Sequence, residues 1–251
     1  MAKISYLIAT KNRANTIGET LKSLQTQTFG DWEAIVIDDH SSDDTKSLIL
    51  KLSDNRIKYL ALPDRLTGAA SARNFGILWA SSPIIAILDS DDIAYPDRTA
   101  ITLEHFKVDP STDIFYGNID VFEEKTGILR DRKTPFTAFS YQRLIEGNFI
   151  THSTVAIKRH LLLDFPYNPI FKIAEDYELY TRLMEYKAKF SYTEQKIVKY
   201  RIHGDNLSVG QSKVEITQLY TELARMMRGW IPYNSIIIQK IDELEKGSAQ
   251  A

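Results

Sequence analysis

The sequence predicts an α/β protein with a Rossmann-like, mostly parallel central sheet, helices on both faces, a small mixed antiparallel part and C-terminal helices. Three observations predict this fold. Short apolar runs alternate with amphipathic stretches through residues 1–110, the following residues have the pattern of paired strands, and residues 211–251 have helical spacing. A chain of 251 residues, 43% of them hydrophobic, is long enough to bury a large core.

In residues 1–110, each strand is predicted from a short, continuously apolar run. The predicted strands are Ile4–Thr10, Trp32–Asp39, Ile57–Leu62 and Pro83–Asp89. Helical spacing follows each of them, within residues 15–27, 44–53 and 69–80 and from Pro96 onward. Thr16 and Glu19 have the spacing of a capping box at the start of the first helix. Strands that alternate with helices in this way favour a parallel sheet.

The pattern changes near Asp113. Residues 113–131 are predicted to form an antiparallel hairpin that turns at Thr126-Gly127. A strand is predicted within 153–159, a helix within 174–186 and further strands within 189–203, and helical spacing returns from Ser212. We therefore expect one domain over residues 1–210, with halves 1–110 and 111–210, and a helical extension over residues 211–251.

Composition excludes several classes of protein. The formal net charge of −2 gives no support for a nucleic-acid partner. The absence of cysteine excludes disulfides and thiolate metal sites, and it favours a reducing compartment. The sequence has no signal-peptide pattern, and no apolar run approaches the roughly 18 residues of a membrane span. We expect a cytoplasmic globular protein.

Polar residues follow three of the predicted strands where those strands end. They are Thr10, Asn12 and Arg13 after the first strand, Asp39 after the second, and Asp89, Ser90 and Asp91 after the fourth. Ligands of parallel sheets bind at these carboxyl ends. Asp89 and Asp91 are two apart, so they project to the same side of an extended segment and are suited to a hard divalent cation. The alternative is that the aspartates cap the next helix.

A further segment, "TGAASARNFG" (67–76), begins the helix after the third strand. Gly68 and the small residues after it allow phosphate or ribose oxygens to approach the helix start closely. Arg73 lies on the first turns of this helix, where a solvated or salt-bridged arginine is the alternative to a ligand contact. The segment lacks the Gly-Lys-Ser/Thr of a P-loop.

Five segments, in order over residues 3–208, carry a resemblance to a known family. They are "SYLIATKNRANTIGETLKSLQTQTFGDWEAIVIDDHSSDDT", "GAASARNFGI", "ILDSDDIAYPD", "IAEDYELYTRL" and "YRIHGDNLS". With these segments the sequence resembles the inverting family-two glycosyltransferases, which have the glycosyltransferase A fold. The resemblance implies that residues 1–110 bind a nucleoside-diphosphate sugar, with UDP as the first candidate, and that residues 111–210 bind the acceptor.

The resemblance also implies a role for individual residues. Those implied to bind the nucleotide sugar are Thr10, Asn12, Arg13, Asp39, Gly68, Arg73, Asp89, Ser90 and Asp91. A divalent metal, Mn²⁺ or Mg²⁺, would be held by Asp91 and Asp89 with His203, and Asp176 would be the catalytic base. From the residues alone, Asp176 also fits a helix start, and His203 fits a histidine hydrogen-bonded at a strand end. His152 either lines the acceptor side or packs in the core.

The expected function is metal-dependent, inverting transfer of a sugar to an acceptor hydroxyl of a saccharide or a lipid-linked molecule, in polysaccharide or glycolipid synthesis. Three alternatives stay open: a nucleotidyltransferase, a phosphatase of the haloacid dehalogenase type and a non-catalytic nucleotide-sugar-binding module. The C-terminal helices could pack on the domain, form a homodimer or contact the inner face of the membrane as a peripheral attachment.

Overall fold

The computed structural model describes residues 2–131 and 139–203. In its first half, strands and helices alternate as the sequence predicts. The order is β1 (Ile4–Thr10), α1 (Ile17–Gln25), β2 (Trp32–Asp38), α2 (Thr45–Lys51), β3 (Ile57–Ala61), α3 (Ala69–Trp79), β4 (Ile84–Ile87), β5 (Ile93–Ala94) and α4 (Arg98–Val108). The two-residue β5 is the element of this half that the sequence did not predict.

The second half is mixed. Its elements are β6 (Ile114–Glu123), β7 (Ile128–Asp131), α5 (Tyr141–Glu146), a 3₁₀ turn at His152–Thr154, β8 (Ala156–Lys158), α6 (Arg159–Asp164), α7 (Glu175–Glu185) and β9 (Phe190–Ile202). The predicted hairpin is β6 with β7, and Gly127 in its turn has a φ of +66°. The further strands predicted within 189–203 are one continuous strand, β9. The predicted C-terminal helices lie outside the described residues, and the division at residue 210 stays a prediction.

The nine strands of the described residues join one sheet. Its order is β3-β2-β1-β4-β8-β6-β9-β5, with β7 paired to the outer part of β6. The strands β3, β2, β1 and β4 are parallel, whereas β8 runs antiparallel to both of its neighbours. The chain extends the sheet from β1 to β3 on one side and then returns to place β4 on the other side of β1. Ligands of open α/β sheets bind at such a switch in strand order.

Helices cover both faces of the sheet, because apolar residues on adjacent positions of each strand enter two separate cores. Leu7 of β1 lies in the core formed with α3, α6 and α7, whereas Tyr6 and Ile8 lie in the core formed with α1, α2 and α4. Helix α3 lies close to the sheet because Gly76 has no side chain. A Cβ at Gly76 would overlap the side chains of Leu7 and Ile37.

The predicted capping box is wrong. No side chain caps the start of α1. Instead, the Thr16 hydroxyl donates a hydrogen bond to the carbonyl oxygen of Ser90 (3.0 Å), and the Glu19 carboxylate pairs with Arg201. Local spacing favoured the box, but both side chains found partners from the turn after β4 and from β9. Helix α1 is therefore tied to the carboxyl edge of the sheet.

Candidate active site

A cleft of about 850 Å³ opens at the carboxyl ends of β1, β2 and β4. Every residue predicted to bind the nucleotide sugar lines it, together with the predicted base: Thr10, Asn12, Arg13, Asp39, Gly68, Arg73, Asp89, Ser90, Asp91 and Asp176. His203 lies directly behind this lining and contacts Asp91. Residues separated by more than 160 positions are thus brought to one cavity by the parallel strands and by α7.

One end of the cleft is formed by Asp39, which follows β2. Its Oδ2 accepts a hydrogen bond from the backbone N–H of Gly68 (3.0 Å), and Lys11 Nζ lies 3.5 Å from the same oxygen. The backbone of Gly68 has a φ of +88°, a conformation that favours glycine. Asp39 Oδ1 and Thr10 Oγ1 are buried without a hydrogen-bond partner within the described residues. Both residues line the cleft, so this end of it is polar and suited to a ligand that forms hydrogen bonds.

The loop after β1 is fixed by the loop after β2. Asn12 has a φ of +52°, and its Oδ1 accepts a hydrogen bond from the backbone N–H of Ser42 (2.8 Å). The Asn12 side chain therefore joins the two loops rather than reaching freely into the cleft. Arg13 lies beside the carboxylates, with its Nε 3.5 Å from Asp91 Oδ2. The Ser90 carbonyl accepts from Thr16, so backbone contacts hold the turn after β4.

Arg73 connects the two walls of the cleft. Its side chain is only 7% exposed, and its guanidinium donates to Asp89 Oδ1 (2.9 Å) and to Glu175 of α7. Burial lowers the pKa of Arg73, but the charges of Glu175 and Asp89 outweigh it and raise the pKa above its ordinary value. Burial raises the pKa of Asp89, and Arg73 opposes that shift. The arginine is thus salt-bridged, and it links β4 to the start of α7.

Asp91, which lines the cleft, and His203 beside it place two types of metal ligand next to each other. Asp91 Oδ2 and His203 Nε2 are 3.0 Å apart. Within residues 2–131 and 139–203, no group of three or more His, Cys, Asp or Glu side chains could hold an ion by itself. A carboxylate with an imidazole fits a Mg²⁺ or Mn²⁺ whose other ligands come from substrate phosphates and water. The donor set therefore suits a metal that enters together with a diphosphate.

Asp176 lies in the first turn of α7, partly buried, on the wall opposite β1. Its Oδ2 accepts from Asn148 Nδ2 (3.0 Å), and its Oδ1 accepts from the backbone N–H of Tyr177 (2.8 Å). Burial, followed by the charge of Glu175, raises the pKa of Asp176 to about 7. A carboxylate with a pKa near neutrality suits a general base. Glu175 is held in its salt bridge with Arg73, which leaves Asp176 as the better candidate.

His152 both lines the cleft and is buried beneath it. Its Nδ1 is 2.6 Å from the Tyr180 hydroxyl and its Nε2 is 3.2 Å from the Tyr167 hydroxyl. Burial, with the nearby charge of Arg73, lowers the pKa of His152 well below its ordinary value. His152 is therefore a neutral imidazole in a buried polar network. The packing interpretation describes it, and its place on the acceptor side stays a prediction.

Sequence reasoning did not single out several residues that line the cleft. Asn148 and Lys172 line the cleft near Asp176, and an apolar wall faces it from two neighbouring strands: Ile119 and Val121 of β6 with Tyr200 and Ile202 of β9. The alternation of side chains along β6 and β9 could have indicated such a wall. Nothing in the sequence marks Asn148, whose contact with Asp176 spans 28 positions.

Comparison with known proteins decides the family. The family model "Glycosyl transferase family 2" matches residues 5–165. This chain belongs to glycosyl transferase family 2. It is 32% identical to the UDP-Glc:α-D-GlcNAc-diphosphoundecaprenol β-1,3-glucosyltransferase WfgD of Escherichia coli. That alignment of 182 residues covers 72% of this chain and 70% of WfgD. It is also 32% identical over 221 residues to WfaP of E. coli, a transferase of the same description, covering 87% and 84%.

Solved structures agree on the fold. The chain is similar to S. aureus TarS 1–349 in complex with UDP, with a TM-score of 0.69 at 19% identity, covering 96% of this chain and 70% of that one. It is also similar to the mannosyltransferase PcManGT of Pyrobaculum calidifontis in complex with GDP-Man and Mn²⁺, with a TM-score of 0.72 at 17% identity, covering 95% and 69%. The predicted glycosyltransferase A fold and glycosyl transfer are confirmed, which sets aside the three alternative functions.

No helix in the described parts of the chain has both the length and the hydropathy needed to cross a membrane. The predicted membrane or dimer contact of the C-terminal helices lies outside the described residues, and it stays a prediction.

Proposed function

We propose that this family-2 glycosyltransferase is metal-dependent and inverting. It moves a sugar from a nucleoside-diphosphate sugar, with UDP as the first candidate nucleotide, to a hydroxyl of a lipid-linked saccharide acceptor. The observation that carries the proposal is that Asp176, whose pKa of about 7 suits a base, lines the same cleft as Asp89 and Asp91.

The acceptor hydroxyl must lose its proton as it attacks, because a free alkoxide is too basic to exist at neutral pH. Asp176 accepts that proton, the acceptor oxygen bonds to the anomeric carbon, and the bond from this carbon to the diphosphate oxygen breaks. The electron pair leaves with the nucleoside diphosphate. A single displacement from the face opposite the leaving group inverts the anomeric carbon. Asn148 orients the base by donating to its Oδ2.

Asp91 and His203 are the residues that would hold the divalent ion, and Asp89 is the further ligand that the resemblance implies. When bound, the ion neutralises charge that develops on the departing diphosphate. Arg13, with its Nε 3.5 Å from Asp91, adds a fixed positive charge on the same side. Asp39 and Thr10 line the end of the cleft that we assign to the nucleoside. Lys172 and the apolar wall of β6 and β9 face the acceptor.

The relatives support a particular pair of substrates. WfgD and WfaP are described as transferring from UDP-Glc to α-D-GlcNAc-diphosphoundecaprenol, and both align with most of this chain. Lys172 would favour the negative charge of a diphosphate in such an acceptor. We therefore propose a UDP-sugar donor and a lipid diphosphate-linked sugar acceptor, in the synthesis of a surface polysaccharide or glycolipid.

The test is a transfer assay with UDP-glucose and a GlcNAc-diphospholipid acceptor, with Mn²⁺ and with excess chelator. We expect a new glycosidic bond whose NMR coupling is that of the β anomer, since the donor is the α anomer. An α-linked product would refute inversion, and full activity in chelator would refute metal dependence. If UDP-glucose fails, a panel of UDP-, GDP- and TDP-sugars identifies the donor. Binding of none of them would remove the proposal.

A further inference from the structure

The turn after β4 is held by two hydrogen bonds that Arg201 of β9 donates. The backbone N–H of Arg201 donates to Asp92 Oδ1 (2.8 Å), and Arg201 Nε donates to the carbonyl oxygen of Asp91 (2.7 Å). Both side chains are buried, with Asp92 0% and Arg201 3% exposed. Asp92 does not cap a helix, because β5 follows it directly. We call these two contacts the Asp92–Arg201 clamp.

The guanidinium of Arg201 is fixed from two further directions. It pairs with Glu19 of α1, and its Nη1 donates to Glu124 Oε1 (3.1 Å) just beyond β6. The ring of Phe122 lies below it, with its centroid 5.1 Å from the guanidinium carbon. A planar group that donates along several edges can hold such an arrangement, whereas an ammonium cannot reproduce it. The Asp91 carbonyl is therefore held by a group that cannot easily rotate.

The clamp adjoins both residues that would hold the ion. Arg201 contacts the backbone of Asp91, and His203 lies two residues further along the same segment, with its Nε2 3.0 Å from Asp91 Oδ2. A displacement of Arg201 would therefore change the separation of the Asp91 carboxylate and the His203 imidazole. We propose that Arg201 is a positioning residue, which through the Asp92–Arg201 clamp sets the distance between Asp91 and His203 for a divalent ion bound with the nucleotide. This inference rests on the proposed metal dependence.

The experiment is an EPR titration of Mn²⁺ in the presence of saturating UDP, on the full chain and on Arg201→Lys. Lysine keeps the charge but loses the fixed geometry, so we expect the Mn²⁺ Kd to rise by about 10–100-fold, as for other residues that orient metal ligands. Glu124→Gln leaves the contact with Asp91 in place but loosens the guanidinium, so a smaller rise is expected. This second variant keeps the test informative if Arg201→Lys folds poorly.

The matched control is Arg56→Lys. Arg56 pairs with Asp54 (2.7 Å) and stacks on Trp32 (3.9 Å), away from the cleft. If the role of Arg201 is purely structural, Arg201→Lys and Arg56→Lys both lower the melting temperature, and neither changes the Kd of Mn²⁺. An unchanged Kd in folded Arg201→Lys overturns the clamp alone. Absence of Mn²⁺ binding by the unmodified protein with UDP overturns the proposed metal dependence, and the clamp's role with it.

Discussion

Replacing Asp176 by asparagine is expected to stop turnover and, at pH 8, to make the folded protein more stable. In the folded protein the pKa of Asp176 is raised from 3.8 to about 7. Between these two values the folded state keeps a proton that the unfolded chain has lost. Stability therefore falls as the pH rises through this window, and the full cost is present above pH 7. Asparagine does not ionise, so it removes that cost.

The size of the effect follows from the shift. A difference of about 3 pKa units at 1.36 kcal/mol each gives an upper bound of about 4 kcal/mol at pH 8. Asparagine can keep only one of the two acceptor contacts, with Asn148 or with the backbone of Tyr177, which costs about 1 kcal/mol. The carboxylate is partly exposed, so water reduces the remaining electrostatic cost of its ionisation. We expect a net gain of about 1–3 kcal/mol at pH 8, which changes to a loss of about 1 kcal/mol near pH 4, where only the missing contact remains.

The assay is thermal or urea unfolding of both proteins from pH 4 to pH 8.5, read as the difference in free energy of unfolding. A gain of 1 kcal/mol corresponds to about 2–4 °C in Tm for a chain of this size. Asp109→Asn is a control of opposite sign. A hydrogen bond from Lys189, then one from Ser111, lowers the pKa of Asp109 to about 2, so this variant is expected to lose stability at pH 7.

Turnover provides the second half of the test. The unmodified enzyme is expected to gain activity as the pH rises through about 7, because the base works in its ionised form. Asp176→Asn is expected to lose about 10²-fold or more in kcat, with donor affinity nearly unchanged. If the variant is less stable than the unmodified protein at pH 8 and still transfers sugar, Asp176 is a structural helix-start residue and the argument from its pKa is wrong.

Three further variants test contacts of the sheet and of the cleft. Glu33→Gln is expected to lower the free energy of unfolding by about 1–3 kcal/mol at pH 7. Burial opposes ionisation of Glu33, but hydrogen bonds from Lys58, Ser5 and Ser81 lower its pKa from 4.5 to about 2. The loss therefore shrinks as the pH falls from 4.5 to about 2, and acid unfolding measures it. Arg73→Met leaves the partly buried carboxylates of Asp89 and Glu175 unpaired and is expected to cost about 1–3 kcal/mol. It is also expected to move the acid limb of the activity profile above pH 7, because Arg73 lowers the pKa of Asp176. Gly76→Ala overpacks the contact of α3 with β1 and is expected to cost about 1–3 kcal/mol by urea unfolding, unless the side chain of Ile37 turns away.

The sequence predicted those parts of the fold that depend on local pattern. The strand Ile4–Thr10 has the predicted bounds, because a continuous apolar run ends at a polar group. The two-residue β5 could not be predicted, since its pairing with β9 depends on Lys199 and Val198, about 100 positions later. The same reason applies in the site. The sequence shows an arginine at position 73 and a glutamate at position 175. It could not predict their salt bridge, because the two positions are 102 residues apart.

The crowded carboxylates after β4 differ in their partners, and this difference predicts which of them binds the ion. Asp89 is paired with Arg73, a cation that does not lose its charge in proteins, and Asp92 is buried in the clamp. Asp91 instead contacts Arg13, at 3.5 Å, and His203, whose imidazole can itself be a metal ligand. An ion can therefore join Asp91 without breaking a strong salt bridge, whereas binding Asp89 competes with Arg73.

We accordingly expect Asp91→Asn to raise the Kd of Mn²⁺ with UDP at least tenfold. Asp89→Asn, the isosteric change two residues away, is expected to change this Kd much less and to raise the KM for the donor sugar instead. Calorimetric titration of Mn²⁺ into each variant with UDP separates the two roles. Equal losses of Mn²⁺ affinity in both variants would mean that Asp89 releases Arg73 when the ion binds, and the ranking of the two carboxylates by their partners would then be wrong.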